Sequence, residues 1–248
     1  MNYLILLLTP LLPSVVFAQA GQTYYEYVWA RSGLVLRAEP GKQAAKMKTL
    51  AYGTPVVPLW HGNYDSVMIY PARQPSEDDS GEPFYLHGYW VKVATGVDTG
   101  YLFGGYLSNM PPFKPPAPTE QGPSYTIESW ILQQATVLDT RQQPNDNDDY
   151  STVYSNHVIK RVKISEGGGT ERYIFPRDRR FEDGFLLLSY FVGIDVTKKQ
   201  LDACNWWRLD LRPNYIFFES EGLNGGIYFM FRISFDGETL VVESGGGC

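Results

Sequence analysis

Between Met110 and Pro123 six of fourteen residues are proline. No helix or central strand passes through such a run, because each proline lacks the N–H that either element needs. The stretch Met110-Pro111-Pro112-Phe113-Lys114-Pro115-Pro116-Ala117-Pro118-Thr119-Glu120-Gln121-Gly122-Pro123 is expected to be extended and semi-rigid. Proline-rich runs also act as ligands for a partner's aromatic groove. Lying between two apolar-patterned segments, this one reads as a linker. It divides the chain into a unit at 21–109 and a larger one at 124–248, preceded by a leader at 1–20.

Aromatic side chains make up 15% of the chain, with 18 Tyr and 13 Phe. They suit the pleated, half-buried surface of strands, so the expected fold class is all-β and mainly antiparallel. Surplus Tyr and Trp would also suit an exposed platform for glycan or peptide, but aromatic rings pack mostly inside. The formal net charge is −6. A nucleic-acid partner calls for a basic surface, and so does an anionic lipid surface, so neither is expected.

The leader runs Leu4-Ile5-Leu6-Leu7-Leu8, then Thr9 to Ala20, with no charged side chain before Glu26. Pro10 and Pro13 interrupt it, so it is too broken for a comfortable membrane span. Ala18 and Ala20 give an A-x-A cleavage pattern, and the segment reads as a secretory signal peptide even without a Lys or Arg near its start. The mature protein is expected to be exported, periplasmic or extracellular, without a membrane span. In an oxidising compartment Cys204 and Cys248 are expected to form a disulfide. The bridge would tie down a flexible end after Gly245-Gly246-Gly247, worth roughly 4 kcal/mol in the chain-entropy account.

In the first unit Tyr25 to Val35 reads as strand, with Val28, Trp29, Leu34 and Leu36 as core members. Short strands follow, separated by turns at Ala38-Glu39-Pro40-Gly41, at Tyr52-Gly53 and at Gly96 to Gly100. Four segments of this unit are similar to bacterial SH3 domains. Gly33-Leu34-Val35-Leu36-Arg37-Ala38-Glu39-Pro40 resembles their opening G-L-N-V-R-x-x-P, and Leu50-Ala51-Tyr52-Gly53-Thr54-Pro55-Val56 their L-x-x-G-T-x-V. Trp90-Val91-Lys92-Val93 resembles their W-x-K-V strand, and Gly100 to Leu107 their closing G-W/Y-V…Y-L. The resemblance implies a small SH3-like barrel and a binding role in the cell envelope; a second, larger β domain is expected to follow the barrel. Val35 replaces the usual Asn, and the stretch from Trp60 to Tyr89 is much longer than the family's connection. Gly53 and Gly100 are expected to serve turn backbone, Trp90 the core, and Arg37 a backbone carbonyl or an acid.

The second unit shows no recognisable family resemblance. Tyr125 to Asp139 carries both helical and strand signals, and strand is the preferred reading. Strands are expected over His157 to Ser165, from Tyr173 and over Tyr215 to Glu219, with a turn at Gly167-Gly168-Gly169. Gly184 to Val192 is apolar on both parities, which suggests a buried central strand, and Val196 to Cys204 a short helix. Asp236-Gly237 is the strongest hairpin signal, joining Ile227–Phe235 to Thr239–Glu243.

No pattern points to catalysis, a metal site or a cofactor. The histidines His61, His87 and His157 are scattered, without H-E-x-x-H, and each is expected on a loop or paired with a backbone group. Asp202-Ala203-Cys204 resembles the start of a papain-like site, yet no histidine follows it. Acid pairs such as Glu219/Glu221 and Glu182/Asp183 are too common to indicate a glycosidase. The acidic stretches 74–83 and 142–149 read as solvated loops, lacking the ligand spacing of a calcium loop. Candidate ligand contacts are the aromatic residues Trp60, Tyr101, Tyr106 and Trp207, one of the Trp206-Trp207 pair being exposed if both lie on a strand. The expected function is a non-enzymatic module binding peptidoglycan or an envelope protein. The alternative is a cell-wall hydrolase whose catalytic half carries no familiar motif.

Overall fold

The computed structural model describes residues 24–70, 84–115, 126–143, 146–191, 206–212, 215–221, 228–235 and 238–247. The leader, the acidic stretch 74–83, the helix expected at 196–204, and both Cys204 and Cys248 lie outside the described residues.

The first sheet contains β1 (Glu26–Val28), β2 (Leu34–Arg37), β3 (Lys46–Leu50), β4 (Pro55–Tyr70), β5 (Phe84–Thr95), β6 (Asp98–Phe103) and β7 (Leu107–Ser108), with a 3₁₀ turn at Gly104–Tyr106. Its strand order is β3-β2-β6-β5-β4-β1-β7, and the paired strands are antiparallel. Val28, Leu36, Leu50, Val56, Val91, Val93, Leu102 and Leu107 form one buried cluster. Every strand contributes to it, so the two ends of the sheet, β3 and β7, meet over a common interior. The sheet is curled into a small barrel-like body, as the sequence suggests. Leu34 is only partly buried against this cluster. Arg37 donates from Nη1 to the Ala44 carbonyl at 2.5 Å, the backbone partner expected for it. Gly100 sits inside β6, not in a turn; a Cβ there would lie 2.8 Å from the Arg37 carbonyl oxygen.

Strand alternation gives β5 two apolar faces. Val91 and Val93 point into the curled sheet, while Leu86 and Trp90 join a second, larger cluster. That cluster also holds Trp29, Phe103, Met110 and Phe113, together with Ile127, Trp130, Phe175, Leu187, Ile233 and Val242 from the later part of the chain. The first six residues of the proline-rich run contribute to the junction. The indoles of Trp29 and Trp130 donate to the carbonyls of Met110 and Pro111 at 3.0 and 2.8 Å, and Phe113 N–H donates to the Tyr52 hydroxyl at 2.9 Å. Residues 116–125 lie outside the described residues.

The second sheet contains β8 (Val137–Gln143), β9 (Asp146–Tyr154), β10 (Ile159–Ser165), β11 (Gly168–Ile174), β12 (Trp206–Arg212), β13 (Tyr215–Glu221), β14 (Tyr228–Phe235) and β15 (Leu240–Gly247). The order is β12-β13-β14-β15-β11-β10-β9-β8, antiparallel throughout. The expected hairpin of β14 and β15 is present, with Phe235 opposite Leu240. The acidic stretch read as a loop over 142–149 is largely strand, because β8 and β9 extend through Gln143 and from Asp146. The run Gly245–Gly247 is not a flexible end: it lies in β15, paired with both β11 and β14. Glycine is required there by close approach. A Cβ on Gly245 would lie 2.8 Å from Thr170 Cγ2 and 2.9 Å from the Gly169 carbonyl oxygen.

Two segments read as strand are helices. α1 (Ile127–Leu132) starts at Thr126, whose hydroxyl accepts from Ser129 N–H at 3.1 Å while the Ser129 hydroxyl accepts from Thr126 N–H at 3.0 Å. Ile127, Trp130 and Ile131 are buried at helical spacing, and strand begins only at Val137. α2 (Phe181–Phe191) replaces the central strand expected at 184–192. It is apolar on both parities because its middle, Phe185 to Leu188, is enclosed between the two sheets. The Asp183 carboxylate accepts from Arg180 N–H at 2.8 Å at its first turn.

Candidate ligand-binding cleft

The long hairpin of β4 and β5 leaves the curled sheet beside the start of α2, and a cleft of about 430 Å³ lies between them. Its wall is formed by Tyr24 and Glu26 at β1, His61 and Tyr64 on β4, and His87 and Tyr89 on β5. Asp178, Arg180, Glu182 and Asp183, around the start of α2, form the other side. The volume falls in the range of small-molecule or peptide side-chain sites.

A β-bulge aims the β4 residues into it. His61 lies opposite Val91 and Tyr64 opposite Tyr89, so β4 has one residue more than β5 between these pairs. Strict alternation would send His61 and Tyr64 to opposite faces; the extra residue brings both to the cleft. Gly88 permits the 3₁₀ turn to close against β5, since a Cβ there would lie 2.4 Å from Gly105 N. The rings are mutually ordered. Tyr64 stacks on His87 at 5.7 Å and meets Tyr89 edge-on at 5.1 Å, and His61 meets Tyr89 edge-on at 6.2 Å. Tyr24, Tyr64 and Tyr89 are each about half exposed, at 55%, 59% and 50%.

At the side of the cleft sits a carboxylate with little solvent. Glu26 is 7% exposed, and its Oε2 has no hydrogen-bond partner among the described residues. Burial pushes its carboxyl above the ordinary value, and Asp183 adds to this; Arg180, His61 and a hydrogen bond with Tyr24 oppose it. Arg180 is already engaged, donating from Nη2 to the Leu107 carbonyl and to Asp183 Oδ1. Asp183 is 2% exposed and held by that pair. Among the described residues no group of three or more His, Cys, Asp or Glu side chains is placed to hold a metal ion.

Of the aromatic residues singled out in the sequence, Trp60, Tyr101 and Tyr106 lie elsewhere. Trp60 is on β4 and 56% exposed, with its ring against Gly62. Tyr101, on β6, is partly buried against the large core. Tyr106, in the 3₁₀ turn, packs edge-on to Phe103 at 6.1 Å and lines a separate hollow of about 270 Å³ with Arg31 and Phe185. Trp207 lies on β12 where the register with β13 shifts. Trp60, Tyr101 and Tyr106 do not line the cleft, and the side chain of Trp207 lies outside the described residues. His61 and His87, each expected on a loop or paired with a backbone group, stand on strands facing the same space, whereas His157 does occupy a turn, with φ 63°. A signal for the site is present in the sequence: His61-Gly62-Asn63-Tyr64 and His87-Gly88-Tyr89 repeat one short pattern on two paired strands.

No helix among the described residues is long and apolar enough to cross a membrane. No curated protein and no solved structure matches the chain. Residues 32–108, from the turn before β2 to the end of β7, match the family model of the bacterial SH3 domain, a match that spans β2 to β7 of the curled first sheet.

Proposed function

We propose that this is an exported, non-enzymatic binding protein of the bacterial cell envelope, periplasmic or extracellular, which takes a cell-wall or protein ligand into the cleft beside the β4–β5 hairpin. The observation that carries this reading is the combination of three half-exposed tyrosines with a buried carboxylate oxygen that has no partner among the described residues. Exposed rings ordered by their neighbours offer contact area at little conformational cost. The match to the bacterial SH3 domain supports a ligand-binding module, and the leader at 1–20 supports export. Cys204 and Cys248 then meet in an oxidising compartment, and their disulfide is part of this proposal.

Co-sedimentation of the intact mature chain with purified peptidoglycan tests the reading. The wild type is expected in the pellet, and the Tyr64→Ala/Tyr89→Ala variant is expected to lose at least tenfold in retention. Wild-type protein left in the supernatant counts against a wall ligand, and unchanged retention of the double variant counts against the cleft. The competing reading, a cell-wall hydrolase, draws on one observation: Glu26 carries a raised carboxyl pKa in a cleft shared with His61. Release of soluble fragments from labelled peptidoglycan during the same incubation would decide for the hydrolase; no release is expected.

A further inference from the structure

The chemistry of the cleft is one-sided. Four carboxylates line it, those of Glu26, Asp178, Glu182 and Asp183, against the single guanidinium of Arg180. Arg180 is held by Asp183 and by the Leu107 carbonyl. Arg179 stands nearby, bound to Asn109 and 3.7 Å from Asp178, and does not line the space. An anionic ligand would meet excess negative charge. A neutral sugar could donate to Glu26 but would leave that excess unanswered. A cation answers both the charge and the lone acceptor.

Resting on the reading of the cleft as the ligand site, we propose that it seats the ammonium group of an alkylamine, with Glu26 Oε2 as its acceptor and the faces of Tyr64 and Tyr89 beside its methylene chain. With Glu26 buried to more than nine-tenths and its Oε2 without a partner among the described residues, that oxygen is a single acceptor, suited to a compact point donor. A guanidinium recognises best by two parallel bonds to a carboxylate, which one free oxygen cannot accept. Tyrosine faces within about 6 Å of a cation attract it through the ring quadrupole, more strongly as the site loses water. A lysine side chain within a peptide and a free diamine share this chemistry.

The ionised carboxylate is the binding form. The groups facing Glu26 are Tyr24 on its own segment, His61 from β4, and Arg180 and Asp183 from the start of α2. Because burial raises the Glu26 carboxyl, affinity for the amine weakens as pH falls through that raised value, at higher pH than for an exposed glutamate.

Calorimetric titration of the intact mature chain tests the proposal with three probes: a capped Ala-Lys-Ala peptide, its Nε-acetyl-lysine counterpart and cadaverine. The lysine peptide is expected to bind at least tenfold more tightly than the acetylated one, and Glu26→Gln is expected to erase that difference. The variant relieves a buried charge, so its melting temperature at neutral pH should not fall, which separates loss of binding from loss of fold. Tighter binding of the peptide identifies a peptide lysine as the source, and equal or tighter binding of cadaverine a free amine. Equal affinity for the free and acetylated peptides, or an unaltered preference in Glu26→Gln, overturns the proposal. If Tyr64→Ala/Tyr89→Ala still abolishes wall retention in that event, the cleft remains the ligand site and only the amine assignment fails.

Discussion

Lys160 illustrates how single side chains tie the second half together. It is 3% exposed, and its ammonium lies 2.6 Å from Glu128 Oε2 on α1 and 2.8 Å from Glu171 Oε1 on β11. Tyr154 and Tyr173 donate to the remaining oxygens of the same two carboxylates at 2.6 and 2.8 Å. Burial would raise the Glu128 carboxyl, yet the hydrogen bonds from Lys160 and Tyr154 outweigh it and hold that group below its usual range. A depressed acid favours the folded state above its unfolded pKa, and this contribution fades as pH drops through the folded value. Lys160→Met should therefore cost about 2–3 kcal/mol at neutral pH, less than the ~3–5 of a fully buried pair because both acids reach solvent. Urea denaturation at pH 7 and pH 3 checks this, with the gap between wild type and variant expected to narrow at the acidic pH. This network was not legible in the sequence, where Glu128, Lys160 and Glu171 are ordinary charged residues of unrelated segments.

At the scale of elements, what could be read depended on whether one signal acted alone. The β14–β15 hairpin and the turns around Ala38–Gly41 and Tyr52–Gly53 carried clear turn chemistry and form as expected, whereas the segment read as one strand from Tyr25 to Val35 breaks between β1 and β2. α2 was misread because periodicity cannot distinguish a strand buried on both faces from a helix enclosed on all sides. Gly184 marks the difference: a Cβ there would lie 2.8 Å from Ile233 Cγ2 and 2.8 Å from Leu240 Cδ1, so the helix packs directly on β14 and β15. In an open helix Gly→Ala gains ~1 kcal/mol. Here overpacking should reverse the sign, and Gly184→Ala should lose about 1–3 kcal/mol. A thermal melt is the check, with a drop of several degrees expected. The bulge in β4 was equally hidden, since one extra residue leaves no mark on composition while changing which side chains share a face.

The molecule as a whole is two antiparallel sheets joined through α2 and one aromatic-rich core. Trp29, Trp90, Phe103 and Phe113 from the first half of the chain share that core with Trp130, Phe175 and Leu187. The SH3 domain was legible because its motifs are local runs of sequence. The cleft as a whole was not, because it unites β1, the β4–β5 hairpin and the start of α2, segments as far apart in the chain as Glu26 and Asp183. The same placement puts the aromatic wall on one half and most of the acidic side on the other, so ligand contact should register on both.

Amide hydrogen exchange of the intact chain, with and without soluble peptidoglycan fragments, tests that claim most directly. Slower exchange in both 58–66 with 86–91 and 178–183 on ligand addition is the expected result. Protection confined to β12 around Trp207, or no change in either segment of the cleft, would contradict it.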